Sequence, residues 1–278
     1  MQSIPFFKYQ GTGNDFVMLD GRGQKTTPLT AAQIAQICHR RFGVGADGLI
    51  RIEEAEGYDF RMVYFNADGY EGSMCGNGGR CAVRFAHDLG LIGKNTHFIA
   101  VDGPHAAFLE GEWIHLKMKE VNRQLEQINE DFFLDTGSPH YVRFVPALSQ
   151  YEVLAQGQAI RYSPRFAASG TNVNFVSLVE GQTLAVRTYE RGVEDETYSC
   201  GTGVTAAALV AHQQHGLASP VSIQTKGGLL RVSFEVHPAQ FSEIYLAGPA
   251  QKVFAGTYAL RDDVGGQFSF SNEYFKHS

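Results

Sequence analysis

The sequence contains no unbroken apolar run long enough to cross a bilayer, which excludes a helical membrane span. It has no Cys-x-x-Cys pair, and four cysteines in 278 residues (Cys38, Cys75, Cys81 and Cys200) are too few for a disulfide framework. A formal net charge of −6 without a basic stripe argues against a nucleic-acid partner. The segment Met1–Lys8 lacks the charged start and apolar stretch of a signal peptide. No Schiff-base lysine motif, dinucleotide fingerprint or metal-ligand cluster is visible, so no cofactor and no metal are expected. These absences together predict a soluble, reduced, cytoplasmic protein that works without membrane or nucleic acid.

What remains is an ordinary globular composition, 44% hydrophobic and 19% charged, long enough for two domains. One stretch organises it. Asn66-Ala-Asp-Gly69 leads to Met74-Cys75-Gly-Asn-Gly78 and an apolar helix expected to stop near Gly90, with Ala82, Phe85, Ala86 and Leu89 on its buried face. Later, Glu190-Arg191-Gly192 leads to Ser199-Cys200-Gly-Thr-Gly203 and a second small-residue helix expected to stop at Gly216. Asn66 precedes Cys75 by nine residues and Arg191 precedes Cys200 by nine, so one design occurs twice. A lone cysteine beside a helix is usually a small buried hydrophobe. Two with matched surroundings point to chemistry.

The chemistry follows from position. A helix start offers unpaired N–H groups and partial positive charge, which suit a substrate carboxylate and lower a thiol pKa. At least one of Cys75 and Cys200 is therefore expected as a thiolate. Facing one another, one sulfur removes a proton and the other delivers one to the opposite face, which inverts a carbon centre. Cys38 and Cys81 read as core residues. Thr30 is the expected cap of a helix running to Gly43, and Gly43–Gly48 reads as a tight turn or a ligand-facing loop. Strands outnumber helices. The fold expected is α+β: two pseudo-symmetric domains, each a sheet around a central helix, covering 1–121 and 122–254, with 255–278 a tail packing back on the N-terminal half.

Gly11-Thr-Gly-Asn-Asp-Phe16, Asn66-Ala-Asp-Gly69, Cys75-Gly-Asn-Gly78, Gly137-Ser-Pro-His140, Tyr189-Glu-Arg-Gly192 and Cys200-Gly-Thr-Gly203 together resemble the diaminopimelate epimerase family from about Phe6 to Phe254. The resemblance implies curled, barrel-like domains with the active site in the cleft between them. It also implies a homodimer that interconverts LL- and meso-diaminopimelate without pyridoxal phosphate, in lysine and peptidoglycan precursor synthesis. By the same resemblance Cys75 and Cys200 are the acid/base pair, and Gly76, Asn77, Gly201 and Thr202 cradle the α-carboxylate. Asn14, Asn66, Asn174, Glu190 and Arg191 are the other substrate contacts, and His140 and Glu190 tune the thiols. Ser138 stands where many members have Asn, and Gly48 where some have a substrate-binding Gln. The residues themselves leave other readings open. The three asparagines also suit turns, His140 also reads as a structural histidine, and Glu190–Arg191 as a surface ion pair. Two rival functions remain: a proline-racemase-like two-cysteine epimerase, and a thiol-redox or ligand-binding protein.

Overall fold

The computed structural model describes residues 3–23, 28–181 and 183–260. Its N-terminal half contains β1 (Ser3–Gly11), β2 (Asn14–Asp20), helix α1 (Ala31–Cys38), β3 (Gly48–Glu53) and β4 (Phe60–Asn66). Helix α2 (Gly76–Asp88) and strands β5 (Asn95–Ala100), β6 (Gly103–Glu110) and β7 (Trp113–Lys117) complete it. Short strands β8 (Val121–Asn122) and β9 (Glu126–Ile128) lead to the C-terminal half. That half contains β10 (Asp131–Asp135), β11 (Pro139–Phe144), α3 (Val153–Arg161), β12 (Asn172–Val179), β13 (Thr183–Glu190), β14 (Asp195–Thr197) and α4 (Gly201–His215). It ends with β15 (Val221–Thr225), β16 (Gly228–Val236), β17 (Gln240–Pro249) and β18 (Gln251–Ala259).

The internal repeat is written in the strand pairing. Along β1–β2–β3–β4–β5–β6–β7 the successive pairs are antiparallel, parallel, antiparallel, parallel, antiparallel and antiparallel. The series β10–β11–β12–β13–β15–β16–β17 runs through the same order. A parallel pair needs a crossover, and here a helix supplies each one. Helices α1 and α2 cross in the first half, α3 and α4 in the second.

The cores follow the same plan. Cys81, Ala82, Val83, Phe85 and Ala86 of α2 pack with Phe16, Met18, Ile50 and Phe98 inside the first sheet. Val204 and Ala206–Ala211 of α4 pack with Val142, Val186, Ile223 and Leu246 inside the second. Eight consecutive residues of α4, from 204 to 211, are fully buried, as expected of a helix enclosed by sheet on every side. Smaller outer cores lie under α1 (Ile34, Ile37, Cys38) and under Val153 at the start of α3.

Several expectations meet this architecture directly. The α2 chain turns off through Gly90 at φ +72°, and α4 stops at Gly216 in the left-handed conformation. Thr30 caps α1 in a reciprocal box with Gln33. That helix ends at Cys38 rather than Gly43, because Gly43 folds back so closely that a Cβ on it would stand 2.0 Å from the Gln36 carbonyl. Helix α3 was not expected at all. The boundary drawn between 121 and 122 falls inside β8, and the one drawn at 254 falls inside β18. β17 lies between β16 and the β7–β8 edge, and β18 pairs with β1 from Ser3↔Ala259 to Gln10↔Gln251. The expected tail thus begins within a strand, and its remainder from residue 261 lies outside the described residues.

Candidate active site

The two central helices meet end to end. A Cβ built on Gly201 would lie 3.5 Å from the Gly76 Cα, and Cβ atoms on Gly76 and Gly201 would both crowd Leu246 of β17, at 3.1 and 2.7 Å. Only glycine lets the two first turns approach over this leucine. Cys75 and Cys200 stand at the N-cap positions with almost the same backbone, φ/ψ −109°/130° and −118°/112°. The sulfurs are thus carried to one place by helices from opposite halves, each pointing its free N–H groups at the junction.

A polar seam joins the turns before the cysteines. Asn77 Nδ2 donates to the Ser199 carbonyl (3.0 Å), to Ser199 Oγ (3.2 Å) and to Asn14 Oδ1 (3.4 Å). Ser199 Oγ donates to the Thr12 carbonyl at 3.0 Å and lies 2.7 Å from Thr12 Oγ1. The Cys75 thiol donates to Asn14 Oδ1 at 3.6 Å, and Asn14 Nδ2 donates to Asp47 at 2.6 Å. Asn14 and Asn77 are therefore held by protein partners, not left as free turn residues. Asn66, at the end of β4, is exposed, and its side-chain amide lies over Gly72, where a Cβ would be 2.9 Å from Oδ1.

In the C-terminal half, Asn174 Nδ2 donates to His140 Nδ1 (3.1 Å) and to the Tyr141 carbonyl (3.0 Å), while its Oδ1 accepts from Thr188 Oγ1 (3.0 Å). Nδ1 of His140 is thereby an acceptor, which puts the ring proton on Nε2, and Nε2 has no partner among the described residues. Burial, helped by the Arg191 charge, pulls His140 down to about 3, so it is neutral. Glu190 accepts from Thr197 Oγ1 at 2.9 Å, and burial pushes its carboxyl up. The Arg191 N–H donates to Asn172 Oδ1 (2.9 Å), and its Nη1 to the Ser169 carbonyl (2.9 Å). Ser138 Oγ accepts from Asn172 Nδ2 at 3.0 Å, so it steadies the residue that holds Arg191. Thr202 Oγ1 lies 3.5 Å from Cys200 Sγ, and its carbonyl accepts from Thr136.

The ionisation of the cysteines departs from the sequence expectation. Burial pushes the Cys75 thiol up, and the nearby Glu190 carboxylate adds to it. The Gly78 and Asn77 N–H groups and the Arg80 charge pull the other way without winning. Cys200 is likewise pushed up, first by burial and then by Glu190, against the Thr202 hydroxyl and the Gly203 N–H; Cys75 raises it further. The helix-end field is present, but desolvation of the sulfur outweighs it. The resting pair is two thiols. Glu190→Gln is accordingly expected to lower both thiol pKa values and to speed their alkylation by iodoacetamide at pH 7 several-fold. Unchanged alkylation of both would show that Glu190 does not act on them.

Sequence reasoning passed over Thr12, Ser199, Asn172, Tyr64 and Arg80. Thr12 lies within a recognised motif and Ser199 beside one, and neither carries a signal of its own. Tyr64 explains Gly48: a Cβ there would stand 2.6 Å from the tyrosine ring and 3.2 Å from its hydroxyl. The ring fills the space a longer residue would need.

The family model described as diaminopimelate epimerase matches residues 6–106 and 132–253. A Flavobacterium psychrophilum diaminopimelate epimerase is 48% identical over 257 residues, covering 91% of this chain and 100% of that protein. The Aquifex aeolicus diaminopimelate epimerase is 39% identical, covering 91% and 97%. Among solved structures, a Bacillus anthracis phenazine biosynthesis protein of the PhzF family superposes with a TM-score of 0.71 at 16% identity, covering 94% of this chain and 100% of that one. A probable proline racemase from Agrobacterium radiobacter superposes at 0.67 and 14% identity, covering 95% and 94%. Such low identities show a shared fold and nothing more.

Proposed function

From the premise that this chain belongs to the diaminopimelate epimerase family, and is an isomerase that interconverts diaminopimelate isomers, we propose a two-base mechanism between its LL and meso forms. The observation that carries the reading is the meeting of two cysteine-capped helix starts across Gly76 and Gly201. An α-carboxylate placed there would face N–H groups from both helices, which stabilise the negative charge that grows on it as the Cα–H bond breaks.

The steps balance without an external reagent. One cysteine, as thiolate, takes the α-proton. The electron pair left on carbon spreads into the carboxylate. The other cysteine, as thiol, donates its proton to the opposite face, and the thiol and thiolate have exchanged places. Because both sulfurs rest as thiols, one must first be ionised, and the substrate supplies a reason. Its α-ammonium brings positive charge beside sulfurs that Glu190 and burial hold protonated, favouring the thiolate only when there is a proton to remove. Arg191 serves the distant carboxylate, its planar fork being suited to bidentate contact. Asn66 completes the contacts, and neutral His140 fixes Asn174. The reading includes a cytoplasmic homodimer. The β18 edge, with Val253 56% and Phe254 45% exposed, is an apolar face available to it.

Epimerisation of LL-diaminopimelate in deuterium oxide tests the mechanism. The meso product is expected to carry solvent deuterium at the inverted carbon, while recovered substrate initially carries little. Equal labelling of both would mean a single base. No labelling of either would overturn the two-base mechanism.

A further inference from the structure

Arg80 is fully buried at 0% exposure, and among the described residues no carboxylate is paired with it. Its Nη2 donates to Asn77 Oδ1 (2.9 Å) and to Thr12 Oγ1 (3.0 Å), its Nη1 to the Gly76 carbonyl (3.4 Å), and its Nε has no partner. Its Nε lies over Gly248 of β17, where a Cβ would stand 3.3 Å from it and 2.4 Å from Leu230 Cδ2. Burial pulls the guanidinium down to about 10, which leaves it cationic near neutrality. A buried cation with no anion beside it is costly, and a purely structural arginine would be paired.

The ionisable groups whose charge bears on Arg80 are Cys75 and Cys81. Cys81, in the core of α2, is pushed up to about 12 by burial and stays neutral. Cys75 is the one that must ionise during turnover. Around it stand Arg80 and Cys81 from α2, Tyr64 from β4, Glu190 from β13 and Cys200 at the start of α4. Glu190 works against a thiolate there, and Arg80 works for it.

We propose that Arg80 is a positioning residue of the reaction: its buried guanidinium is the countercharge kept for the Cys75 thiolate, and its fork holds Asn77 in the seam that ties Ser199 to the Cys75 turn. The proposal rests on the two-base reading. It assigns the anion missing from the resting protein to the reaction itself. Asn77 links the two roles, since it takes a hydrogen bond from Arg80 and passes three on to Ser199 and Asn14.

The test measures alkylation of Cys75 against pH by peptide mapping, with Cys200 in the same sample as reference, alongside kcat/KM. In Arg80→Met the apparent Cys75 pKa is expected to rise measurably, as loss of an opposite charge requires. The Cys200 profile should move much less, and kcat/KM should fall at least tenfold. Arg80→Gln, which removes the charge and retains a hydrogen-bonding end, carries the same expectation if Arg80→Met does not fold. Arg80→Lys, which keeps charge without the fork, should hold the wild-type Cys75 profile while losing kcat/KM. An unmoved Cys75 profile in a folded neutral variant overturns the proposal. So does an Arg80→Lys profile displaced as far as the neutral ones. Wild-type enzyme that exchanges no α-hydrogen would overturn the two-base reading instead, and the alkylation profiles would still report on Arg80.

Discussion

Cys75→Ala and Cys200→Ala are each expected to leave less than about a thousandth of the epimerase activity, a loss of about 4 kcal/mol of transition-state stabilisation. On the proposed mechanism each change removes the proton carrier of one face, which the opposite sulfur would not replace. The controls come from the same chain. Cys81 lies in the first core and Cys38 on the buried face of α1, at 0% and 2% exposure, and burial pushes both thiols up to about 12. Cys38→Ala and Cys81→Ala should therefore keep kcat and lose only stability, through the small cavities left behind. Initial rates on LL-diaminopimelate, with a thermal melt for each variant, give the comparison. Near-normal turnover in Cys200→Ala would end the two-base mechanism.

Oxidation gives the second large effect. With no substrate between them, the two N-cap sulfurs adjoin the Gly76–Gly201 junction, and both are free thiols. Mild treatment with diamide should join Cys75 to Cys200. Two protons and two electrons leave the thiols and reduce the diazene to a hydrazine, and activity should be abolished until a thiol reductant restores it. The pH dependence follows from the direction of the shifts. Both thiols lie above the ordinary value of 9.0 because they are buried. The attacking thiolate is thus scarce at neutrality, and the rate should climb about tenfold per pH unit from 7 to 9. Diaminopimelate should protect. Peptide mapping that found Cys38 or Cys81 in the link, or a rate independent of pH, would mean the cysteines do not share one site.

Much of this site was legible because its signals are local. A Gly-rich turn after a cysteine, an alanine-rich run and a terminal glycine each state a helix end by themselves, and their duplication states the pairing of halves. Helix α3 carries no such signal. Gly157 interrupts it, and its apolar residues make sense only against Tyr189, so near that a Cβ on Gly157 would stand 2.4 Å from it. The repeat, followed one step further, would have found it, since α3 occupies in the second half the place of α1 in the first. Most of strand β18, beyond Lys252–Phe254, was hidden for a different reason. Its side chains are mostly exposed, so it lacks the alternation that marks a half-buried strand. The ionisation of Cys75 and Cys200 was misread because a helix start is visible in sequence while desolvation is a property of the assembled halves. Arg80 was overlooked in the same way: a charged residue in an apolar run reads as one that reaches for solvent, and only the packed structure shows it buried against Asn77, Thr12 and the Gly76 carbonyl.

The strand that closes the first sheet arrives last. Gln10 and Gln251 are neighbours separated by 241 residues of chain, and β17, which seals the other edge, is made scarcely earlier. A ribosome therefore releases the N-terminal half with both flanks of its sheet unpaired. Closing a loop of that length costs about 3 kcal/mol more than closing a ten-residue hairpin, before any contact repays it. Long-range pairing of this kind makes for slow folding and for exposed strand edges while it lasts. The enzyme's two halves are thus a repeat in structure but not in synthesis: the second can form its core as it emerges, and the first must wait for the end of the second.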